Sequence, residues 1–204
     1  PADGYTILVA SNSPLSVNPV VVKDLPYDPV KELKPVCGLL RIMNVFVVAA
    51  DSKLNTLADL VDTAKKGKQP LSVGTSFKGF RLSVEWFAGL AGIKFNQIPY
   101  KGTPQVLTDV MGHHIDVGFV DRSVAGPLLK SGKLKALAVG GETRYPDSPE
   151  VPTVMESGYP EFTSFSWVAF FVRSETPDDV TTKLADTVQN VMTTDAMQDF
   201  MKKV

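Results

Sequence analysis

The sequence is poor in the residues on which most site chemistry is built. It holds one cysteine, Cys37, and two histidines, His113 and His114, among 204 residues. A single thiol excludes an internal disulfide and any Cys-based metal cluster. The two histidines are neighbours beside Gly112, with no carboxylate at ligand spacing, so no metal site is expected. No Gly-x-Gly-x-x-Gly fingerprint and no Gly-x-Ser-x-Gly elbow occur, and no cofactor is expected. Excess positive charge is missing too: 21 Lys+Arg stand against 22 Asp+Glu, a net charge of −1. Proteins that gain affinity by releasing phosphate counterions carry a basic surplus, so no nucleic-acid partner is expected. The longest apolar runs, such as Val45–Ala50, fall far short of the ~20 residues of a membrane helix. What remains is an ordinary globular balance, 44% apolar and 21% charged, in a length that allows one domain or two small ones. The first residue is Pro1 and no signal peptide is visible, so the chain reads as processed or cut.

Strand and helix alternate along the chain. Tyr5–Ala10 is rich in β-formers and runs into Ser11-Asn12-Ser13-Pro14, a loop with helix-capping residues. Pro19, Pro26, Pro29 and Pro35 make the next stretch mostly irregular. Leu39–Ala50, interrupted by Arg41 and Asn44, reads as a long extended segment. Thr56 caps a helix that reaches Lys66 and stops at Gly67. Leu71–Val73 is a short strand, Gly74–Gly79 a loop, and Phe80–Leu90 an amphipathic helix ended by Gly92. The unit then repeats: strand Phe95–Pro99, loop Tyr100–Gly102, and a helix capped by Thr103 and stopped by Gly112. Strand Ile115–Val120, a loop at Asp121, a helix to about Lys130, and strand Lys135–Val139 follow. Pro146, Pro149 and Pro152 mark a connector. Phe165–Val172 is a second long apolar run, Pro177 starts a helix to about Asn190, and a last helix covers about 195–202. Trp86, Phe87, Trp167, Phe170 and Phe171 are expected in the core, with the wall of a cleft as the alternative for Trp167 on its long extended run.

A run of βα units implies an α/β fold with helices on both faces of a sheet. Right-handed crossovers place the loops after each strand along one edge, where open α/β sheets bind ligands. The two long apolar runs bracket the βα block, as they would where a chain leaves one lobe, builds another and returns. The expected lobes are 47–165 and, discontinuously, 1–46 with 166–204. Hinges are expected near Val45–Ala50 and Ser166–Val172.

The loops at that edge carry the candidate chemistry. Gly74-Thr75-Ser76-Phe77-Lys78-Gly79 has the Gly-x4-Gly spacing of a phosphate loop, but Phe80-Arg81 stands where Lys-Ser/Thr would hold phosphate and magnesium. The physics beneath the motif survives. A strand, a loop of small residues and a helix start expose N–H groups and a positive dipole end, which suit a carboxylate as well as a phosphate. The plain alternative is a βα turn whose N–H groups meet water. Ser11, Asn12 and Ser13 offer donors to an oxyanion, or merely cap the next turn. Tyr100-Lys101-Gly102 allows close backbone approach and a charge, or is a solvated turn. Asp121 accepts from a ligand hydroxyl or amine, or caps the helix after it. An enzyme would have only Asp121, Lys101 and the two histidines for acid–base work, so none is expected.

Several short pieces, in order, carry a family likeness: Asp3-Gly4-Tyr5-Thr6, Asn18-Pro19, Leu25-Pro26-Tyr27-Asp28-Pro29-Val30-Lys31, Pro35-Val36, Pro99-Tyr100-Lys101-Gly102, Ser131 to Val139, Val151-Pro152-Thr153 and Ser166-Trp167. Together they resemble the Bug family of periplasmic solute receptors, the binding components of tripartite tricarboxylate transporters. The resemblance implies an α/β periplasmic-binding-protein fold of two lobes, the first incomplete in this chain because family members extend further at both ends. It implies a periplasmic location and transient contact with membrane transporter subunits. It also implies capture of a small carboxylate between the lobes: a di- or tricarboxylate, an acidic amino acid or an aromatic acid. The matching ligand loops are Ser11-Asn12-Ser13, Gly74-Thr75-Ser76, Tyr100-Lys101-Gly102 and Asp121. Two departures stand out. The family's Gly-Ser-Ser-Gly-x-Gly-Ser loop is shorter here, with Arg81 in place of a histidine, and its acidic residue often falls one place before Asp121. An enzyme on the same scaffold and a fragment without ligand competence are the rival readings. Missing strands would leave an open sheet edge, and with it a possible dimer.

Overall fold

The computed structural model describes residues 1–201. In chain order the elements are β1 (Leu8–Ser11), a π-helical turn (Ser13–Val17), α1 (Asn18–Val21), α2 (Pro29–Glu32), β2 (Leu33–Ala49) and α3 (Leu57–Lys66). Then come β3 (Leu71–Thr75), α4 (Lys78–Ala91), β4 (Phe95–Pro99), α5 (Thr103–Met111), β5 (Val117–Asp121) and α6 (Arg122–Lys130). The chain continues through β6 (Leu134–Val139), β7 (Phe165–Arg173), α7 (Asp178–Met192) and α8 (Asp195–Met201). Lys202, expected at the end of the last helix, lies outside the described residues. The chain divides into two compact units: Pro1–Arg41 with Trp167–Val204, and Ile42–Ser166. One division falls inside β2 and the other inside β7.

The second unit is built on five strands in the order β4-β3-β5-β2-β6. β3 is parallel to β4 (Leu71↔Phe95) and to β5 (Val73↔Val117), while β2 runs antiparallel to β5 (Asn44↔Asp121) and β6 (Val45↔Val139). The run Val45-Phe46-Val47-Val48 is apolar throughout because both faces of this sheet are covered. All four residues are 0% exposed. Side chains alternate across a strand, so Phe46 and Val48 join one core cluster and Val45 and Val47 the other. On the first face Phe46 meets Phe119 at 4.5 Å and Phe87 at 5.0 Å between ring centroids, under α3 and α4. On the second face Val106, Leu107 and Val110 of α5 and Ala125 of α6 pack. A buried phenylalanine here contributes about 1.5–3 kcal/mol of transfer free energy. Val45–Val47 is paired on both sides and Val48 and Ala49 with β6, so all but the last residue of the hinge expected at Val45–Ala50 lies inside the sheet.

Local sequence explains the helix ends. Thr56 and Asp59 form a capping box, each side chain accepting from the other's backbone N–H at 3.0 Å. Gly92 ends α4 at φ 63°, a left-handed cap that favours glycine. Three expectations shift at the boundaries. The Gly74–Gly79 loop contracts to Ser76-Phe77, because Gly74 and Thr75 complete β3 and Lys78 opens α4. β5 starts at Val117 and includes Asp121. Thr103 is not a cap; Gly102 holds that position and Thr103 is the first, buried residue of α5.

In the first unit β1 and β7 pair antiparallel, Leu8↔Phe171 through Ser11↔Val168. The strand expected from Tyr5 begins only at Leu8, since Asp3 accepts from the Tyr5 N–H in a turn and leaves Tyr5 94% exposed. Asp28 caps α2 by accepting from Val30 and Lys31 N–H. Lys34 Nζ donates to the Thr176 carbonyl and Asp178, both at 2.7 Å, fixing the start of α7. Trp167, Phe170 and Phe171 are half-buried rather than core. In the second unit Trp86 is also outside the core, with its ring 5.2 Å from Phe162. Trp86 and Phe87 are ~100° apart around α4, and Phe87 takes the inward side.

Candidate functional site

β3, β4 and β5 are parallel neighbours, so their C-terminal ends lie along one edge of the second unit's sheet. A helix starts within a few residues of each end. The N-caps of α4, α5 and α6 are Phe77, Gly102 and Asp121, and none of the three supplies a side-chain cap. α3, by contrast, carries its capping box. Backbone N–H groups at three helix starts are therefore left without side-chain acceptors along one edge, each start bearing the positive end of a helix dipole. That is the electrostatics of an anion site built from neutral groups.

The polar side chains between these starts are ordered. Ser76 Oγ and Thr103 Oγ1 lie 3.0 Å apart, joining the loop after β3 to the first turn of α5. Thr75 is 3% exposed at the end of β3, and its carbonyl accepts from Tyr100 N–H at 2.9 Å. Asp121 Oδ1 accepts from Asn44 Nδ2 at 3.1 Å and from Ser166 Oγ at 2.8 Å. Asn44 in turn accepts from Ser164 Oγ at 2.7 Å. Burial pushes the Asp121 carboxyl above the usual carboxylate value, while the Ser166 and Asn44 hydrogen bonds pull it back. With both of these bonds on Oδ1, Oδ2 is the oxygen left to meet a donor.

The expected residues separate by role. Thr75, Ser76, Lys101, Gly102 and Asp121 all fall at this edge, with Lys101 exposed. Gly74 lies one residue inside it, paired with Ile98 and Gly118. A Cβ on Gly74 would stand 2.5 Å from Ile115 Cδ1 and 2.9 Å from Val106 Cγ1, so the missing side chain serves packing. Tyr100 is turned toward α5: its hydroxyl donates to Asp109 Oδ2 at 2.6 Å, and burial with that carboxylate pushes its pKa to about 12. Ser11, Asn12 and Ser13 belong to the first unit. Ser11 ends β1 and lines an apolar groove of about 480 Å³ with Leu8, Val9, Pro14 and Tyr27. Asn12 has helical backbone angles and makes no capping bond, so the expected cap is absent. Asn44, Thr103, Ser164 and Ser166 were not expected at a site. Asn44 did carry a signal, as a polar residue inside an apolar strand, where burial demands partners.

The family model of the tripartite tricarboxylate transporter family receptor matches residues 1–204. A UPF0065 protein of Bordetella pertussis is 29% identical over 201 residues, covering 98% of this chain and 62% of that one. Protein BugT of the same organism is 32% identical over 171 residues, covering 82% of this chain and 52% of that one. The chain thus spans between half and two thirds of these relatives. A solved periplasmic transporter superposes at TM-score 0.86 and 30% identity, over 97% of this chain and 67% of that one. The R. palustris protein Rpa4515 with adipate gives TM-score 0.86 at 29% identity, over 97% and 67%. The periplasmic binding protein BugD gives 0.84 at 27%, over 99% and 68%. The fold is the α/β periplasmic-binding-protein fold, with a mixed sheet flanked by helices. Sequence and architecture agree along the whole chain, which belongs to the tripartite tricarboxylate transporter receptor family, the Bug proteins.

Proposed function

We propose that this chain is the ligand-binding part of an extracytoplasmic solute receptor that captures a small organic carboxylate. The observation that carries the reading is the row of three helix starts without side-chain caps at one sheet edge. A carboxylate placed there meets N–H donors and three dipole ends, each worth about 0.3–1 kcal/mol at an exposed site. In this reading Thr75, Ser76 and the Lys101-Gly102 backbone hold the carboxylate, and Asp121 accepts from a second group of the ligand through Oδ2. Ser11, Asn12 and Ser13 are the contacts that the family likeness assigns to the first unit. Gly74 and Tyr100 are framework rather than contacts. Adipate in a relative at 29% identity supports a dicarboxylate of similar length as the first probe. Work in the periplasm and transient delivery to membrane transporter subunits complete the proposal, with no catalytic step.

Calorimetric titration with adipate, succinate, citrate and glutamate tests it. One of these acids should bind the chain, and Thr75→Val with Ser76→Ala should weaken that binding by tenfold or more, the equivalent of about 1.4 kcal/mol. Unchanged affinity in the double variant removes this edge from the site. Turnover of any bound acid would instead favour an enzyme.

A further inference from the structure

Asp121 and Arg122 are adjacent, yet their side chains serve different places. Asp121 turns to Asn44 and Ser166, whereas Arg122 runs along the inner side of α6. Arg122 is only 4% exposed. Its Nη2 donates to Ser148 Oγ at 2.9 Å, and its guanidinium carbon lies 4.5 Å from the centre of the Tyr145 ring. Its Nε is buried with no hydrogen-bond partner. No carboxylate forms an ion pair with it among the described residues. One turn further on, a Cβ at Gly126 would come 2.9 Å from Arg122 Nη1, so the glycine makes room for the guanidinium. An arginine does not lose its proton, and a buried cation is costly unless an anion meets it.

Arg122 lines a cleft of about 430 Å³ between α6, β6 and the segment 147–151. Lys130 and Lys135 also line it, and so do Asp147 and Glu150. Lys130 faces Asp147 at 3.9 Å, and Lys135 donates to the Ser52 carbonyl and Asn55. The lining therefore holds three cations against two carboxylates, one negative charge short. We propose that this cleft is a second binding site, for a single small oxyanion held by the planar fork of Arg122, with Lys135 beside it. A guanidinium suits carboxylate and phosphate alike, because both present two oxygens at the spacing of its N–H groups. The site is separate from the sheet edge of the proposed carboxylate pocket and does not depend on that assignment.

The Nε–H signal of Arg122 in ¹H–¹⁵N spectra of the labelled chain, assigned by its loss in Arg122→Lys, reports on the cleft. Inorganic phosphate and adipate are titrated separately, each against sodium chloride at equal ionic strength. The expected result is a saturable shift of that signal with at least one of the two, absent with chloride and retained in the Thr75→Val, Ser76→Ala variant. Phosphate alone would mark a phosphate site, and adipate alone a second site for the transported acid. Lys135→Met should raise the saturating concentration several-fold, and it keeps the proposal testable if Arg122→Lys does not fold. A non-saturable shift, or one that chloride reproduces, overturns the proposal. So does a shift lost in the Thr75→Val, Ser76→Ala variant, which would assign the signal to the sheet-edge pocket.

Discussion

Asn44 and Asp121 face each other across the antiparallel pair β2–β5, and Asn44 Nδ2 donates to Asp121 Oδ1 at 3.1 Å. The same asparagine accepts from Ser164 Oγ, and Asp121 accepts from Ser166 Oγ. One buried amide thus joins the end of β5 to the segment just before the chain leaves the second unit at 166/167. Asn44 is 1% exposed, so every polar atom it presents needs a partner inside the protein.

Asn44→Ala should therefore cost more than a surface substitution. It leaves the Ser164 hydroxyl with Ser83 Oγ alone, at 2.9 Å, and takes one of two donors from a partly buried carboxylate. The expected loss is about 1–3 kcal/mol, read from urea unfolding of wild type and variant. A loss within the scatter of surface changes would mean that water replaces the amide without penalty.

Asp121 makes an acid-side prediction of unusual sign. Its folded pKa is raised by burial, so the folded state holds its proton to a higher pH than the unfolded state does. Stability contributed by this group then falls as pH rises from the ordinary carboxylate value of 3.8 through the raised folded value. Asp121→Asn keeps the acceptor oxygen and removes the charge. The variant should be more stable than wild type at neutral pH, with the difference closing at acid pH. Thermal unfolding across that range checks it, and an equal difference at every pH would refute the burial cause. Glu175 works the other way: Arg173 holds it at about 2, so its contribution is present above the ordinary value of 4.5 and fades as pH falls toward 2.

Much of this was legible in the sequence, and what escaped has a common cause. The βα units from Thr56 to Val139 could be read because their apolar periodicity, Thr56 cap and Gly67, Gly92 and Gly112 stops are local. Long-range pairing is not local. Asn44 read as a break in an apolar run, and only the register with Asp121 turns it into a network member. Tyr100 and Gly74 look like ligand-loop residues by type and position. Their assignment to packing depends on where α5 lies, which no nearby residue encodes. Arg122 gave no sign of burial, since its cavity is formed by Gly126 and by a segment more than twenty residues downstream.

Tyr100 offers a spectroscopic check on that assignment. A hydroxyl donating to Asp109 in a partly buried setting should ionise near 12. The unfolded chain releases this proton near 10 and the folded chain near 12, so stability falls with rising pH between those values. Absorbance at the phenolate band should show a titration step near 12 that disappears in Tyr100→Phe, while Tyr159, also raised by burial, stays. That variant should also lose about 0.5–1.5 kcal/mol at neutral pH, the ordinary net worth of a hydrogen bond. Carboxylate affinity per folded molecule should stay as it was; if it drops, Tyr100 is a contact after all.

Two glycines of the same unit separate packing from binding. A methyl group at Gly74 must find space against Val106, whose β-branched side chain turns only at a cost, as well as against Ile115 and Tyr100. Gly74→Ala is expected to destabilise by about 1–3 kcal/mol, the range for overpacking a filled interior. Gly89 sits near the end of α4 with nothing within 4 Å of an added Cβ, and its φ is not in the left-handed region. Gly89→Ala should stabilise by about 0.5–1 kcal/mol, because alanine loses less backbone freedom on entering a helix. If Gly74 acts through packing alone, ligand affinity per folded molecule is the same in both variants and only the unfolding midpoints move, in opposite directions. If Gly74 instead lends its backbone to the ligand, Gly74→Ala weakens binding by more than its stability loss accounts for, and the division between framework and contact residues drawn along β3 shifts inward by one residue.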